Sequence, residues 1–155
     1  ALAGVVTVGG RGLVMTGRIL GLDIGERRIG VAVSDEMGTI ASPVGMIRRE
    51  GDVVRELKAL VERYGAVRLV AGLPVGLSGR EGPQAAVVRE FAEALAGEVD
   101  VPLEYWDERL STAVAERTLI AGGTRRNKRK EKIDAVAAAV ILQGYLDHQR
   151  WRRAR

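Results

Sequence analysis

A single α/β domain built on one mixed sheet is the fold this sequence predicts, and three observations predict it. Glycine is abundant, twenty residues in 155, close to twice the usual share; that suits tight turns and is too much for a plain helical bundle. Short apolar runs alternate with amphipathic stretches of helical period, in the order β-β-β-α-β-α-β-α-α, the pattern of a mixed sheet flanked by helices. A length of 155 residues with 46% hydrophobic content is enough for one buried core and short for two domains.

Each element has its own local reason. Residues 1–17 lack the basic start of a signal peptide, and glycines break their apolar stretch. They read as an N-terminal extension, either an extra strand or a longer reading frame ahead of Met15. Arg18–Ile24 and Ile29–Ser34 are strand-like runs joined by a short turn at Gly25–Arg28, hence a hairpin. A third strand covers Thr39–Ile47, with Pro43 marking an edge or an irregularity. Asp52 caps a helix whose Val53, Leu57, Leu60, Val61 and Tyr64 recur at helical spacing. Val67–Leu73 is the continuous apolar run of a buried parallel strand.

Pro74–Pro83 is a Gly/Pro-rich loop leading into a helix from about Gln84 to Ala96. Val101–Trp106 is the next strand, ending at Asp107, Glu108 and Arg109. Ser111 or Thr112 caps a helix to Ile120, closed by Gly122 and Gly123. A basic loop follows, and a last helix runs from about Lys132 to Asp147 with Ile133, Val136, Val140 and Ile141 on its apolar side. The domain is therefore taken as 18–147, with 148–155 as a basic C-terminal tail.

Composition removes several kinds of chemistry. With no cysteine, a disulfide scaffold, a thiol nucleophile and a Cys-ligated metal are excluded. His148 is the one histidine, which makes a His-based triad or a His-rich metal site untenable. No apolar run approaches the ~18–20 residues of a membrane span, and the reading is of a cytoplasmic protein. The charge is uneven. Arg125–Lys132 holds six basic residues and one acid, and Arg150–Arg155 adds four arginines. These blocks carry +9 of a net +4, leaving the rest of the chain at −5. Clustered lysine and arginine beside an acidic body points to a polyanionic partner, because phosphate contacts release counterions.

Three carboxylate positions stand out. Asp23 interrupts an apolar strand, where a buried carboxylate is costly without a partner; Arg27 or Arg28 would be the bland way to neutralise it. Asp107 and Glu108 lie at a strand end, where α/β sheets place their sites. Asp134 falls in the first turn of the last helix, where the helix dipole alone would favour it. Brought to one sheet edge, a strand Asp, a strand-end carboxylate and a helix Asp would converge on Mg²⁺ or Mn²⁺, which take oxygen ligands together with water and substrate phosphate. Two such ions would serve phosphodiester hydrolysis. A phosphate-gripping basic segment tethered beside Asp134 makes the pattern that of a nuclease.

Four segments then resemble one family: L-G-L-D-I-G-E-R-R-I-G-V-A-V-S-D (Leu20–Asp35), G-L-P-V-G-L-S-G-R-E-G-P-Q (Gly72–Gln84), D-E-R-L-S-T (Asp107–Thr112) and K-I-D-A-V-A-A-A-V-I-L-Q-G-Y-L (Lys132–Leu146). In order and spacing they are similar to the YqgF/RuvX family, bacterial proteins described as Holliday-junction resolvases and as nucleases maturing the 5′ end of pre-16S ribosomal RNA. The resemblance implies a ribonuclease H-like fold, a five-stranded mixed sheet flanked by helices. It implies metal-binding catalytic carboxylates at Asp23, at Glu108 (with Asp107 the fallback) and at Asp134, with Asp35 in a structural or supporting place. It also implies Mg²⁺ or Mn²⁺ as cofactor and RNA, with DNA a further substrate, as partner. Nucleic-acid contacts are expected from Arg80, Arg109, Arg125, Arg126, Lys128, Arg129, Lys130 and Lys132.

One departure matters: Gly76 and Ser78 stand where family members commonly carry Asn and Asp, so this loop supplies no carboxylate. Two rivals are weighed. An actin/sugar-kinase phosphotransferase would need a second related half, and only one D-x-G hairpin occurs. A catalytically inactive RNase H-like nucleic-acid-binding module would keep the fold without turnover. Monomer and homodimer are both compatible with the sequence. Few aromatics, one Phe, three Tyr and two Trp, favour recognition through phosphates and shape over base stacking.

Overall fold

Alternation along the first hairpin sets up a two-faced sheet. The computed structural model describes residues 5–7, 13–15, 17–74, 82–108 and 126–153. Val5–Thr7 (β1) and Leu13–Met15 (β2) pair antiparallel as a separate two-stranded sheet. The main sheet holds Arg18–Ile24 (β3), Arg28–Ser34 (β4), Ala41–Arg48 (β5), Ala66–Leu73 (β6) and Leu103–Asp107 (β7) in the order β5-β4-β3-β6-β7. The β3–β4 and β4–β5 pairs are antiparallel, and β3–β6 and β6–β7 are parallel. This is the five-stranded mixed sheet expected, with its third strand starting two residues later than the sequence suggests. Asp35 delays it: its Oδ1 accepts the amides of Thr39 at 2.6 Å and Ile40 at 3.0 Å and holds that segment as a turn. Those two amide bonds keep the Asp35 carboxyl below the usual Asp range.

One face carries Val53–Tyr64 (α1) and Pro83–Val99 (α2). Leu20 and Leu22 of β3, Ile29 and Val31 of β4, and Leu69 and Ala71 of β6 point into this layer against Leu57, Ala92 and Leu95. Fully burying such a side chain contributes roughly 1.5–3 kcal/mol. The helix caps follow the sequence: Asp52 Oδ1 accepts the Arg55 amide at 3.1 Å, and Gly65 closes α1 in the left-handed conformation.

The other face carries Arg126–Arg153 (α3), against Ala32, Val70 and Trp106. Its inward residues include Ala135, Ala138, Ala139 and Leu142. Small residues on the helix meet glycines in the sheet, so the two backbones approach closely. A Cβ at Gly21 would lie 2.7 Å from Leu142 Cβ, and one at Gly30 would lie 1.9 Å from the Asp134 carbonyl oxygen.

Helix α3 corrects the expectation of a basic loop before Lys132. Arg126, Lys128, Arg129, Lys130 and Lys132 lie within its first turns. Lysine, arginine and glutamate are good helix formers, and no glycine or proline interrupts them. Asp134 therefore sits in the third turn and owes nothing to a helix N-terminus. The helix also runs past Asp147 to Arg153, carried by a row of aromatic contacts, His148 at 5.5 Å from Trp106 and 6.0 Å from Trp151. The expected Gly/Pro-rich loop (75–81) and the helix to Ile120 lie outside the described residues. No helix among the described residues is long and apolar enough to cross a membrane.

Candidate active site

Asp23 is one of the two buried polar residues among those described, 9% exposed. Its neighbours Leu22 and Ile24 point into the α1/α2 layer, so alternation turns Asp23 to the α3 face. In the sheet it lies opposite Gly30 of β4. On its other side it lies one step beyond the Leu22–Ala71 pair, beside Gly72 of β6. These two glycines tell where the remaining carboxylates are. The missing Cβ of Gly30 faces the backbone of Asp134, and the missing Cβ of Gly72 would lie 2.9 Å from Glu108 Oε1. Asp23 thus lies between two glycines, one covered by the Asp134 backbone and the other by the Glu108 side chain.

The same alternation separates the two acids at the end of β7. Trp106 packs on the α3 side, so Asp107 falls on the opposite face. Glu108, one residue past the strand, returns to the α3 side, where its Cγ would lie 3.1 Å from a Cβ at Gly72.

Asp134 holds the surprise. Its Oδ2 accepts a hydrogen bond from Arg28 Nε at 2.6 Å, across 106 residues of sequence. The sequence offers Arg28 as a counter-charge for Asp23; the structure commits it to Asp134. With that carboxylate held by a guanidinium, the expected convergence of three carboxylates on one cation does not appear. Among the described residues no three His, Cys, Asp or Glu side chains are gathered as a metal site. Asp134 and Glu108 each approach a glycine that flanks Asp23, without the three carboxylates gathering as one ligand set. Their donor chemistry, all carboxylate oxygen and no sulfur or imidazole, is that of a hard divalent cation, provided Asp134 turns away from Arg28.

Of the other expected contacts, Arg80, Arg109 and Arg125 lie outside the described residues, and the basic stretch from Arg126 to Lys132 is placed as backbone in α3. The lone histidine packs on Trp106. Three participants are not evident from the sequence: Gly30, Gly72 and the Arg28 pairing. Glycines inside strand-like runs do signal close approach of another backbone, but not which one.

On the same face, further along β6 and β7, Arg68 Nη1 donates to the Tyr145 hydroxyl at 2.9 Å and lies 3.4 Å from Glu104. Tyr145 in turn donates to the Glu104 carboxylate. Burial, and then the Glu104 bond, push the Tyr145 hydroxyl above its usual range. This group fixes β7 against α3 and so fixes the strand end that presents Glu108.

Comparison with known proteins adds independent findings. Residues 17–148 match the model of the family described as "RuvX: Holliday junction resolvase". A protein of Clostridioides difficile (strain 630) named "Putative pre-16S rRNA nuclease" is 47% identical over 136 residues, spanning 86% of this chain and 96% of its own. A protein of Symbiobacterium thermophilum with the same name is 51% identical over 133 residues, spanning 84% and 92%. Among solved structures, the T. thermophilus RuvC in complex with a Holliday junction substrate superimposes with a TM-score of 0.53 at 13% identity, over 86% of this chain and 96% of that one. At that identity the likeness speaks for the fold alone: a ribonuclease H-like sheet.

Proposed function

This chain belongs to the RuvX family, and from that membership and the carboxylate patch we propose that it is a metal-dependent nuclease hydrolysing phosphodiester bonds. The observation that carries the reading is the gathering of three acids on one face of the sheet. Asp23 is buried on β3 between two glycines whose open faces receive Asp134 and Glu108. A carboxylate buried in an apolar strand is costly without a partner, and the close packing these glycines allow brings two further acids to its neighbourhood.

Asp23, Glu108 and Asp134 would hold Mg²⁺ or Mn²⁺, which supplies an activated water and charge neutralisation at the scissile phosphate. The chain's own residues do the rest. Asp23 is fixed by the central strand, with little freedom to follow a shifting ligand. Glu108 closes the β6–β7 side over Gly72. Asp134, anchored where α3 touches Gly30 and bound by Arg28, would contribute its carboxylate oxygens to the cation once that bond is released. The D-E-R choice falls on Glu108, because Asp107 faces the α1/α2 layer.

The substrate we propose is single-stranded or flexible RNA, with 5′-end maturation of pre-16S ribosomal RNA as the cytoplasmic reaction; the relatives' names support pre-16S rRNA as the target. The same machinery extends to DNA, the class to which the family's resolvase description refers. The nuclease domain is residues 18–147. Arg80, Arg109 and Arg125–Lys132 supply phosphate contacts, helped by Arg150, Arg152 and Arg153 at the end of α3.

Cleavage of matched RNA, single-stranded DNA and four-way-junction substrates by the pure protein tests this. Chelation with EDTA should stop cleavage. Asp23→Asn should lower the rate by more than the ~10–100-fold typical of losing a residue that merely supports a metal ligand. The fold and oligonucleotide binding should survive. A wild-type rate for Asp23→Asn in Mn²⁺ would sink the assignment, and no cleavage of any substrate by the wild type would favour the inactive binding module.

A further inference from the structure

Beyond the carboxylates lies a cluster of arginines that neither the motifs nor the comparisons assign. An open cleft of about 530 Å³ is lined by Glu26, Arg27, Arg28, Arg48, Arg49 and Glu50. Arg28 and Arg48 are cross-strand partners, directly opposite each other at the end of the β4–β5 ladder. On the next rung the Arg49 amide donates to the Arg27 carbonyl at 2.9 Å. The four arginines thus belong to two successive rungs, Arg28 and Arg48 on the α3 face and, by alternation, Arg27 and Arg49 towards the other face. All four line the cleft at the strand ends. Like charges placed directly opposite across strands destabilise a sheet. An edge strand such as β5 does gain protection from charge, but that accounts for Arg48 and not for Arg28 facing it from an inner strand.

The local acids do not discharge the cluster. Arg48 reaches Glu50 only at 4.0 Å, with both side chains largely exposed, and such a pair contributes little. Arg27 is exposed and makes no side-chain hydrogen bond or ion pair with any described residue. Arg49 is held in place rather than neutralised: its Nη1 donates to the Gly25 carbonyl at 2.8 Å and its guanidinium lies 4.0 Å above the Phe91 ring. Only Arg28 has a close acid, Asp134.

The position of the cleft gives it meaning. Arg28 and Gly30 are two residues apart on β4, so Arg28 and its partner Arg48 share the α3 face with Asp23. Helix α3 starts eight residues before Asp134, which at ~1.5 Å per residue carries its basic first turns roughly 12 Å beyond that residue. The cleft lies at the hairpin end of the sheet, the end at which Asp134 meets Gly30.

We propose that Arg27, Arg28, Arg48 and Arg49 form a phosphate-binding surface that takes the backbone of a nucleic-acid strand on the β4–β5 side of the carboxylates. Guanidinium forks suit phosphate oxygens, and a phosphodiester chain lying in the cleft relieves the repulsion between Arg28 and Arg48. The surface reads no bases: its lining is charge, so it positions the strand rather than selecting its sequence. This inference rests on the nucleic-acid reading above, and it names where the strand runs.

The experiment is binding of a short fluorescein-labelled single-stranded RNA to the full chain in EDTA, where no cleavage interferes, across a salt series. Wild type is compared with Arg27→Ala/Arg48→Ala and with Arg27→Lys/Arg48→Lys. The alanine pair should weaken binding and flatten the slope of log affinity against log salt by about 1.4, at ~0.7 for each single-strand phosphate no longer neutralised. The lysine pair should keep the wild-type slope, and circular dichroism should show all three proteins folded. An unchanged slope in the alanine pair overturns the proposal, as does a lysine pair as shallow as alanine, or no binding by wild type at low salt. Because the readout is binding, a wild type that cuts nothing while the slope still shifts condemns the nuclease reading and leaves the surface standing. Cleavage with an unmoved slope does the reverse.

Discussion

Gly30 is the residue on which the site turns. Its φ is not in the left-handed region, so the backbone itself would accept any side chain; the obstacle is purely steric. A single added methyl would sit 1.9 Å from the Asp134 carbonyl oxygen and 2.4 Å from its carbon. Backbone cannot swing aside as a side chain can, so α3 must lift from β4. We expect Gly30→Ala to cost about 3 kcal/mol, the upper end of ordinary overpacking, read as a lower urea midpoint. A cost below about 1 kcal/mol would mean the helix is not seated on that strand. At this scale the sequence is half legible. Asp23 announces itself, because a carboxylate in an apolar strand is anomalous whatever surrounds it. Gly30 and Gly72 do not, because a glycine's purpose is written in the atom that approaches it, and that atom comes from another element.

Helix α3 shows the same division at the scale of an element. Its apolar interior positions follow from periodicity, yet it extends beyond the expected span at both ends. The N-terminal charge run resembles a solvated loop, but it contains nothing that breaks a helix, and its residues favour one. The C-terminal end continues because Trp151 and His148 extend the stack begun at Trp106, and Asp147 meets Arg150 at 3.3 Å one turn on. A direct check is amide hydrogen exchange. The amides of residues 130–134 should be protected in the native protein, since each donates within the helix to a carbonyl four residues back. Exchange at the rate of unstructured peptide would return this stretch to a loop. Extending the helix does not remove its positive charge; it makes that charge part of a rod with a defined direction, continuous with the residue that carries Asp134.

For the molecule as a whole, the two faces of the sheet divide the labour. One layer, with α1 and α2, is ordinary apolar core; the other carries the carboxylates, the close-packed glycines and Arg28. Cutting both strands of a four-way junction needs two such sites related by a two-fold axis, whereas a single strand of RNA needs one. If RNA is the substrate, sedimentation at working concentration should find single-stranded RNA cleaved by the monomer. A stable dimer making paired, symmetric nicks on a junction, with single-stranded RNA untouched, would reverse that choice. The fold class, the strands of the main sheet, the oxygen-only donor set and the three candidate acids can be read from the chain alone, because periodicity, composition and an out-of-place carboxylate are local properties. So can the rule that Asp107 and Glu108 do not both serve, since neighbours on a strand face opposite ways. Only packing showed that Glu108 reaches Gly72 on the α3 face, that the Asp134 backbone closes on Gly30, and that Arg28 binds the Asp134 carboxylate across 106 residues. Those outcomes depend on how closely a helix can lie on a strand and which charges then meet, and that follows from the approach of distant segments that no single stretch of chain contains.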